Sequence, residues 1–370
     1  MLEGFRRFLS FGSKRFLGID IGTSSVRVVE LARKKNELEL TNYGELKSSS
    51  FIKKPFRILT KNSISFSNDE LGKILKAIVE EAEIETKEVN LGIPDFASFF
   101  TSFEVPVMAK NEISQAVQYE VRPYVPLPLT EVTLDWTIIS GEPSKTPLKV
   151  LVVAIPNDII AQYQEIARIA GLELKTLESE VFALTRAVAM SNRGSSDENK
   201  VLGLLDIGAR SSTCSIVDKG VLKTSHSFKI GGNELTEVVA KSLNIDYNEG
   251  EEIKLKHGLL PDNGLKRDIR KVLVPLVDSI LEEMREAFRS FYRQEGKEVE
   301  KVVLAGGVAN MPGIKDYFQA SLKKDTSLAD PFLNIRHPAV ITNNLKESGP
   351  LYAVAVGLAL NGLEYGNKSN

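Results

Sequence analysis

Two distant stretches of the chain share one pattern. FLGIDIGTSSVRVVEL (Phe16–Leu31) and VLGLLDIGARSSTCSIV (Val201–Val217) each run as an apolar strand, then Asp-Ile-Gly, then small residues with hydroxyl groups, then a second apolar strand. A duplicated strand–turn–strand unit calls for two lobes, each with its own α/β sheet opened by such a hairpin. The length of 370 residues agrees, because one ordinary core does not grow to that size.

The turn has a specific physical use. Gly22 lets the backbone reverse without side-chain bulk. The amides and hydroxyls of Thr23, Ser24 and Ser25 then face outward, where they can donate hydrogen bonds to phosphate oxygens. Asp20, at the strand end, would face Mg²⁺ and its waters, since Mg²⁺ takes a few carboxylates and keeps much of its hydration. The second copy offers Asp206, Gly208, Ala209, Arg210, Ser211 and Ser212 in the same arrangement. Two such hairpins can grip a triphosphate and its metal from both sides. A third element, KVVLAGGVANMPGI (Lys301–Ile314), reads as a buried strand, a diglycine at Gly306-Gly307 and a helix start. Such a turn admits a flat ring or a sugar, with Val308 and Met311 beside it and a positive helix end nearby.

Around these motifs the first lobe continues with strands near Val26–Leu31 and Leu38–Tyr43, and then a long connection from Lys47 to Ser65. SNDE (Ser67–Glu70) forms a capping-box pattern ahead of a helix with Leu71, Ile74, Leu75, Ile78 and Val79 on one face. A buried strand, Val89–Ile93, follows. Residues 95–174 change texture: three short strands and two helices, capped at Asn111 and Asn157, read as a small α/β insert. The expected organisation is therefore an N-terminal segment (1–15), a first lobe (16–94 and 175–200), an insert (95–174) and a second lobe (201–370).

Composition sets outer bounds. The net charge of −2 argues against a nucleic-acid partner held by a basic surface. Cys214 is the only cysteine, so no disulfide framework can form, which suits a reducing cytoplasm. No apolar run reaches the roughly 18–20 residues that span a bilayer. The first residues place Leu2, Phe5, Phe8 and Leu9 on one helical face beside Arg6, Arg7, Lys14 and Arg15. A peripheral membrane or partner helix and a lead-in segment packed on the body both remain open.

The three glycine-bearing elements, in this order and spacing, resemble the actin-like ATPase superfamily over almost the whole chain. The implied fold is two lobes, each a mixed sheet flanked by helices, binding ATP with Mg²⁺ between them. Arg27 stands where the actin pattern carries a phosphate-reaching lysine. Glu178 of ESEVFAL is similar to the segment that orients an attacking water, but without its usual Pro-Thr neighbours. Gly231-Gly232 resembles the diglycine below the nucleotide, and Glu251 and Lys254 of GEEIK resemble the residues that contact the adenosine.

The insert lies where FtsA-like proteins carry theirs. Within that branch, NEISQAVQYEVRPYVPLPLTEVTLDWTII (Asn111–Ile139) and LYAVAVGLALNGLE (Leu351–Glu364) resemble the PilM family of type IV pilus assembly proteins. That resemblance implies a cytoplasmic, ATP-binding protein, peripheral at the inner membrane, with slow ATPase activity at most. It also implies docking of the N-terminal cytoplasmic tail of a PilN-like membrane protein in a groove of insert and first lobe, with some of Phe96, Phe99, Phe100, Phe103, Tyr119, Tyr124 and Trp136 in reach. Pilus motor or platform proteins and a second copy of the chain stand as further candidate partners. An FtsA-like division protein and, more remotely, a small-molecule kinase are the alternatives. The ending NGLEYGNKSN carries no amphipathic membrane helix of the division type.

Overall fold

The strands around the first Asp-Ile-Gly are apolar on both faces, and both faces are covered. The computed structural model describes residues 14–35, 37–47, 59–60, 63–64, 67–261 and 268–365. In it β1 (Lys14–Ile21), β2 (Ser25–Lys34) and β3 (Glu37–Lys47) form an antiparallel meander. The N-terminal helical face at Leu2–Leu9 and most of the connection after Lys47 lie outside the described residues, apart from a short hairpin of β4 (Leu59–Thr60) and β5 (Ser63–Ile64). The capping box starts α1 (Asn68–Glu81). Ser67 Oγ accepts the Glu70 amide at 3.2 Å, and Glu70 Oε2 accepts the Ser67 amide at 2.9 Å. Leu71, Leu75 and Ile78 of this helix are buried against the sheet, and β6 (Glu88–Ile93) then pairs parallel to β1.

The insert holds β7 (Phe99–Val105), α2 (Ile113–Glu120), β8 (Val132–Ser140) and β9 (Leu148–Pro156), with sheet order β7-β9-β8. Val105, Ile113, Val117, Val150 and Val152 fill its core. One expectation is corrected here. The helix at α3 (Asn157–Ile169), read as the insert's second, buries Ile159, Tyr163 and Ile166 in the first-lobe core with Leu71 and Leu75. Neither expected asparagine cap forms. Glu112 stands at the cap position of α2, and Asn157 is bonded sideways to Thr133 Oγ1 at 2.8 Å and the Thr130 carbonyl at 3.1 Å.

The chain returns through β10 (Glu173–Ser179), parallel to β6, and α4 (Glu180–Asn192) to the second lobe. There β11 (Val201–Ile207), β12 (Ser212–Asp218) and β13 (Val221–Phe228) repeat the meander. Then come α5 (Gly232–Leu243), α6 (Tyr247–His257), α7 (Arg270–Glu295), β14 (Lys301–Ala305), α8 (Ile314–Leu322) and β15 (Asp325–Leu328). The two large sheets have one plan: β10-β6-β1-β2-β3 and β15-β14-β11-β12-β13. In each, the first two neighbours are parallel and the last two antiparallel. The last helix, α9 (Thr342–Tyr365), crosses back to lie under the first sheet, where Asn90 Nδ2 donates to the Leu358 carbonyl at 3.1 Å. Among the described residues no helix is long and apolar enough to cross a membrane.

The insert touches both lobes. Lys149 on β9 pairs with Glu295 at the end of α7 at 2.6 Å and with Gln294 at 3.2 Å. Lys223 on β13 donates to the Ile139 carbonyl of β8 at 2.6 Å. Ile139 and Leu151 pack with Val217 and Leu222 of the second lobe and Val181, Leu184 and Val188 of α4.

Candidate functional site

The two Asp-Ile-Gly turns are superposable in their bonding. The Gly22 amide donates to the Ser25 carbonyl at 3.0 Å, and the Gly208 amide donates to the Ser211 carbonyl at 3.0 Å. Both close their hairpin with the same reversal, leaving Thr23–Ser24 and Ala209–Arg210 at the tips. Each Asp sits one residue inside its strand, opposite Arg27 in the first copy and Thr213 in the second.

Asp20 is buried, with Oδ2 3.6 Å from Arg27 Nη1. Arg27 is also buried and is held by Glu45, Nε to Oε1 at 3.0 Å. The guanidinium is therefore committed between two carboxylates instead of extended toward the turn. Among the described residues, Asp20 Oδ1 and Ser25 Oγ are both buried without a hydrogen-bond partner. A buried polar atom left alone is costly, and a ligand reaching this strand end would relieve that cost. Thr23 is buried and Ser24 exposed. Ser212 departs from expectation: its Oγ donates to the Ile230 carbonyl at 2.6 Å, so this hydroxyl fixes β12 to the α5 approach and is turned from the cleft.

Four carboxyl groups converge here: Asp20, Asp95 just after β6, Glu180 at the start of α4, and Asp206. Burial raises Asp20, and the Arg27 charge opposes the rise. Burial pushes Asp95 up to about 7, although the Val181 amide, 3.1 Å from its Oδ1, favours the charged form. Burial and the Asp20 charge likewise raise Asp206 to about 7. Glu180 is raised well above its ordinary value by burial and by Asp20, Asp95 and Asp206. Crowding of this kind favours the protonated forms, and a bound cation or donor-rich ligand would oppose it.

Glu178 is not one of the four. Its carboxylate is forked onto Arg186 at 2.7 and 2.5 Å and accepts from Asn361 Nδ2 at 3.0 Å. Of the two glutamates in Glu-Ser-Glu, the strand keeps the first, while the helix start at Glu180 turns the second toward Asp20. Sequence reasoning missed Asp95 and Glu180, and only the Glu-Ser-Glu doublet hinted at the second.

On the second lobe, Gly306 has φ +84°, its amide donates to the Pro350 carbonyl at 2.9 Å, and a Cβ there would meet Asp206 Oδ1 at 2.2 Å. A Cβ on Gly307 would meet only Leu351 Cδ2, at 4.0 Å. Gly306 thus belongs to the fold, and Gly307 leaves open space. Val308 and Met311 are buried in the second-lobe core, with Val308 beneath Gly232. The α5 start closes onto the second turn, the Gly232 and Asn233 amides donating to the Gly208 and Ala209 carbonyls at 2.9 and 2.7 Å. Below it Lys254, 2% exposed, donates to Glu251 Oε2 at 2.6 Å, Thr236 Oγ1 at 2.9 Å and the Gly232 carbonyl at 3.2 Å. Arg210 lies over the Phe96 ring, 4.6 Å from its centre, linking the second turn to the segment after β6. Ser211 stays partly exposed in the turn. No group of three or more His, Cys, Asp or Glu is disposed as a metal cage among the described residues. A Mg²⁺ held by one or two carboxylates together with phosphate oxygens needs no such cage.

Duplicated meanders, paired Asp-Ile-Gly turns and a strand–diglycine–helix on the second lobe define the actin-like ATPase fold. Among solved structures, the chain is similar to the PilM-PilN type IV pilus biogenesis complex, with TM-score 0.81, 24% identity, and coverage of 94% of this chain and 98% of that one. It is also similar to MreB5 of Spiroplasma citri bound to ADP, with TM-score 0.55, 14% identity, and coverage of 96% and 99%. The cell division protein FtsA of Enterococcus faecalis is 25% identical over 366 residues, covering 87% of this chain and 80% of the relative. The model of the type IV pilus assembly protein PilM family matches residues 18–363, and the chain belongs to that family.

Proposed function

We propose that this chain is an ATP-binding cytoplasmic component of type IV pilus assembly. On this reading it docks the N-terminal tail of a PilN-like inner-membrane protein and links the pilus machinery to the inner-membrane alignment complex. Family membership over residues 18–363 supports the pilus role over cell division, for which the cited relative is 25% identical. The observation that carries nucleotide binding is the pair of matched turns with Asp20 Oδ1 and Ser25 Oγ buried and unpartnered at the first. A similar fold has been solved with ADP, and another as a complex with PilN.

Thr23, Ser24 and Ser25 on one side, with Gly208–Ser211 on the other, would hold the phosphates, and the space beside Gly307 would take the adenosine. Asp20 and Asp206 would hold Mg²⁺ through water, and the ion would neutralise charge on the triphosphate. Glu180 replaces Glu178 as the candidate that orients water. Burial and the neighbouring Asp20, Asp95 and Asp206 raise its pKa, which opposes its acting as a base, in keeping with slow turnover at most. For the tail, the exposed Tyr119 and Tyr124 of the insert offer apolar anchors, Tyr124 stacked on Phe103 at 5.7 Å.

The test has two readouts. Calorimetry with Mg·ATP should show binding that Asp20→Ala weakens at least about tenfold, the equivalent of roughly 1.4 kcal/mol. Anisotropy of a labelled PilN-like N-terminal peptide should show binding weakened by Tyr119→Ala or Tyr124→Ala. No heat from the wild-type protein would overturn the nucleotide reading. A peptide indifferent to both tyrosines would overturn the insert as its dock.

A further inference from the structure

We propose that a second site, at the opposite end of β1 and β2 from the Asp-Ile-Gly turn, binds an acidic peptide segment. A cavity of about 570 Å³ opens there between the far ends of β2, β3, α4 and α9 and the crossing segment 329–341. Three arginines line it: Arg33, Arg193 and Arg336. Two carboxylates also line it, and Glu37 is engaged with Arg336 at 3.7 Å, which leaves Glu364. Arg33 Nε is buried without a hydrogen-bond partner, and among the described residues neither Arg33 nor Arg193 has a carboxylate within ion-pair distance. Three guanidinium groups against two carboxylates, one of them already paired with Arg336, leave an excess of N–H donors, and an added carboxylate would meet paired donors there.

The walls are fixed in place. The Arg336 amide donates to the Leu38 carbonyl at 2.8 Å, and the Leu40 amide donates to the Arg336 carbonyl at 2.9 Å, so the crossing segment is stitched to β3. Asn334 Nδ2 donates to the carbonyls of Met190 and Ser191 at 2.9 and 3.1 Å, tying the same segment to the end of α4. A prebuilt cavity spends little on ordering when its ligand arrives.

Its chemistry selects among anions. Met190, partly exposed, supplies apolar lining beside the arginines, backed by the buried Leu38 and Leu360. A bare phosphate would satisfy the guanidinium groups and leave that lining wet. A peptide segment with a glutamate or aspartate beside an apolar side chain satisfies both. This site is independent of the nucleotide reading, because none of its residues touches the cleft.

The test uses the full chain and two labelled hexapeptides, one alternating leucine with glutamate and one alternating leucine with glutamine, read by fluorescence anisotropy at low salt. The acidic peptide should bind at least about tenfold more tightly than the neutral one, and added salt should weaken it. Arg193→Ala, at an exposed position, and Arg33→Gln should each weaken the acidic peptide by several-fold or more, with Mg·ATP binding unchanged. Arg193→Lys should recover part of the loss, since it keeps the charge without the fork. Equal binding of the two peptides, no binding of either, or undiminished binding in both arginine variants would overturn the proposal. Arginine-dependent binding of phosphatidylglycerol vesicles in the absence of acidic-peptide binding would overturn it in favour of a lipid surface.

Discussion

Gly306 and Gly307 are neighbours with opposite physical reasons for being glycine, so substituting each separately divides fold from ligand. Gly306→Ala places a side chain on a residue at φ +84°, a conformation that costs an ordinary residue about 1–3 kcal/mol. The new Cβ would lie 2.2 Å from Asp206 Oδ1 and 2.5 Å from the Ile207 carbonyl. The Asp206 side chain can swing away, but the Ile207 backbone is part of β11 and cannot, and overpacking of this kind adds about 1–3 kcal/mol. The sum, about 2–6 kcal/mol, is a large share of the roughly 5–15 kcal/mol that holds a domain together. Urea denaturation should therefore show a clearly lowered midpoint, and Mg·ATP affinity should fall as Asp206 is displaced. Gly307→Gln meets no such obstacle: its Cβ has only Leu351 nearby, at 4.0 Å. The denaturation midpoint should be unchanged within error, while ATP affinity falls at least about tenfold because the side chain fills the proposed adenosine space. If Gly306→Ala leaves both midpoint and affinity untouched, the geometry reasoned from here is wrong. A Gly307→Gln protein that binds Mg·ATP normally would remove the nucleotide from this face of the second lobe.

Cys214 is buried and its thiol is pushed up to about 12, so a maleimide should label it only after unfolding; rapid labelling of the native protein would contradict its placement. Asp95 and Asp206 titrate at about 7 in the fold and, with an ordinary value of 3.8, lower in the unfolded chain. The fold therefore holds protons that the unfolded chain has lost, and nucleotide-free protein should lose stability as pH rises through the window between those values. Thermal melts of wild type and Asp95→Asn should show a shallower pH dependence in the variant, and identical slopes would refute the assignment. Lys149→Met should loosen the insert from α7 by about 1–3 kcal/mol, leaving Glu295 without its partner. Hydrogen exchange should then rise in β9 and at the end of α7, and unchanged exchange in both would show that the pair carries nothing.

Much of this architecture was written in periodicity and punctuation. The paired Asp-Ile-Gly turns, the capping box at Ser67 and the strand–diglycine–helix at Gly306 each depend on neighbours in sequence, and each was legible there. What escaped depended on partners far along the chain. Asn157 looks like a helix cap until Thr130 and Thr133 arrive from the preceding loop and strand to take its side chain. Tyr163 and Ile166 carry an amphipathic pattern that fits an insert core as well as a lobe core. Only the packing against α1 decides between them. The engagement of Glu178 was illegible for a related reason: Arg186 and Asn361 claim its carboxylate from 8 and 183 residues away.

The insert's contacts bear on how two ligands would communicate. A groove formed by insert and first lobe alone would feel a nucleotide only through the first sheet. Here Lys149 reaches Glu295 at the end of α7, Lys223 reaches the Ile139 carbonyl, and Ile139 and Leu151 share a core with β12 and β13. Arg210, from the second turn, also lies over Phe96 at the root of the insert. A change in the angle between lobes would therefore have to break or shift polar bonds on two strands of the insert as well as the cleft itself. A tail bound to the insert and a nucleotide bound in the cleft would act on one set of contacts. Linkage then requires that each change the other's affinity by the same factor.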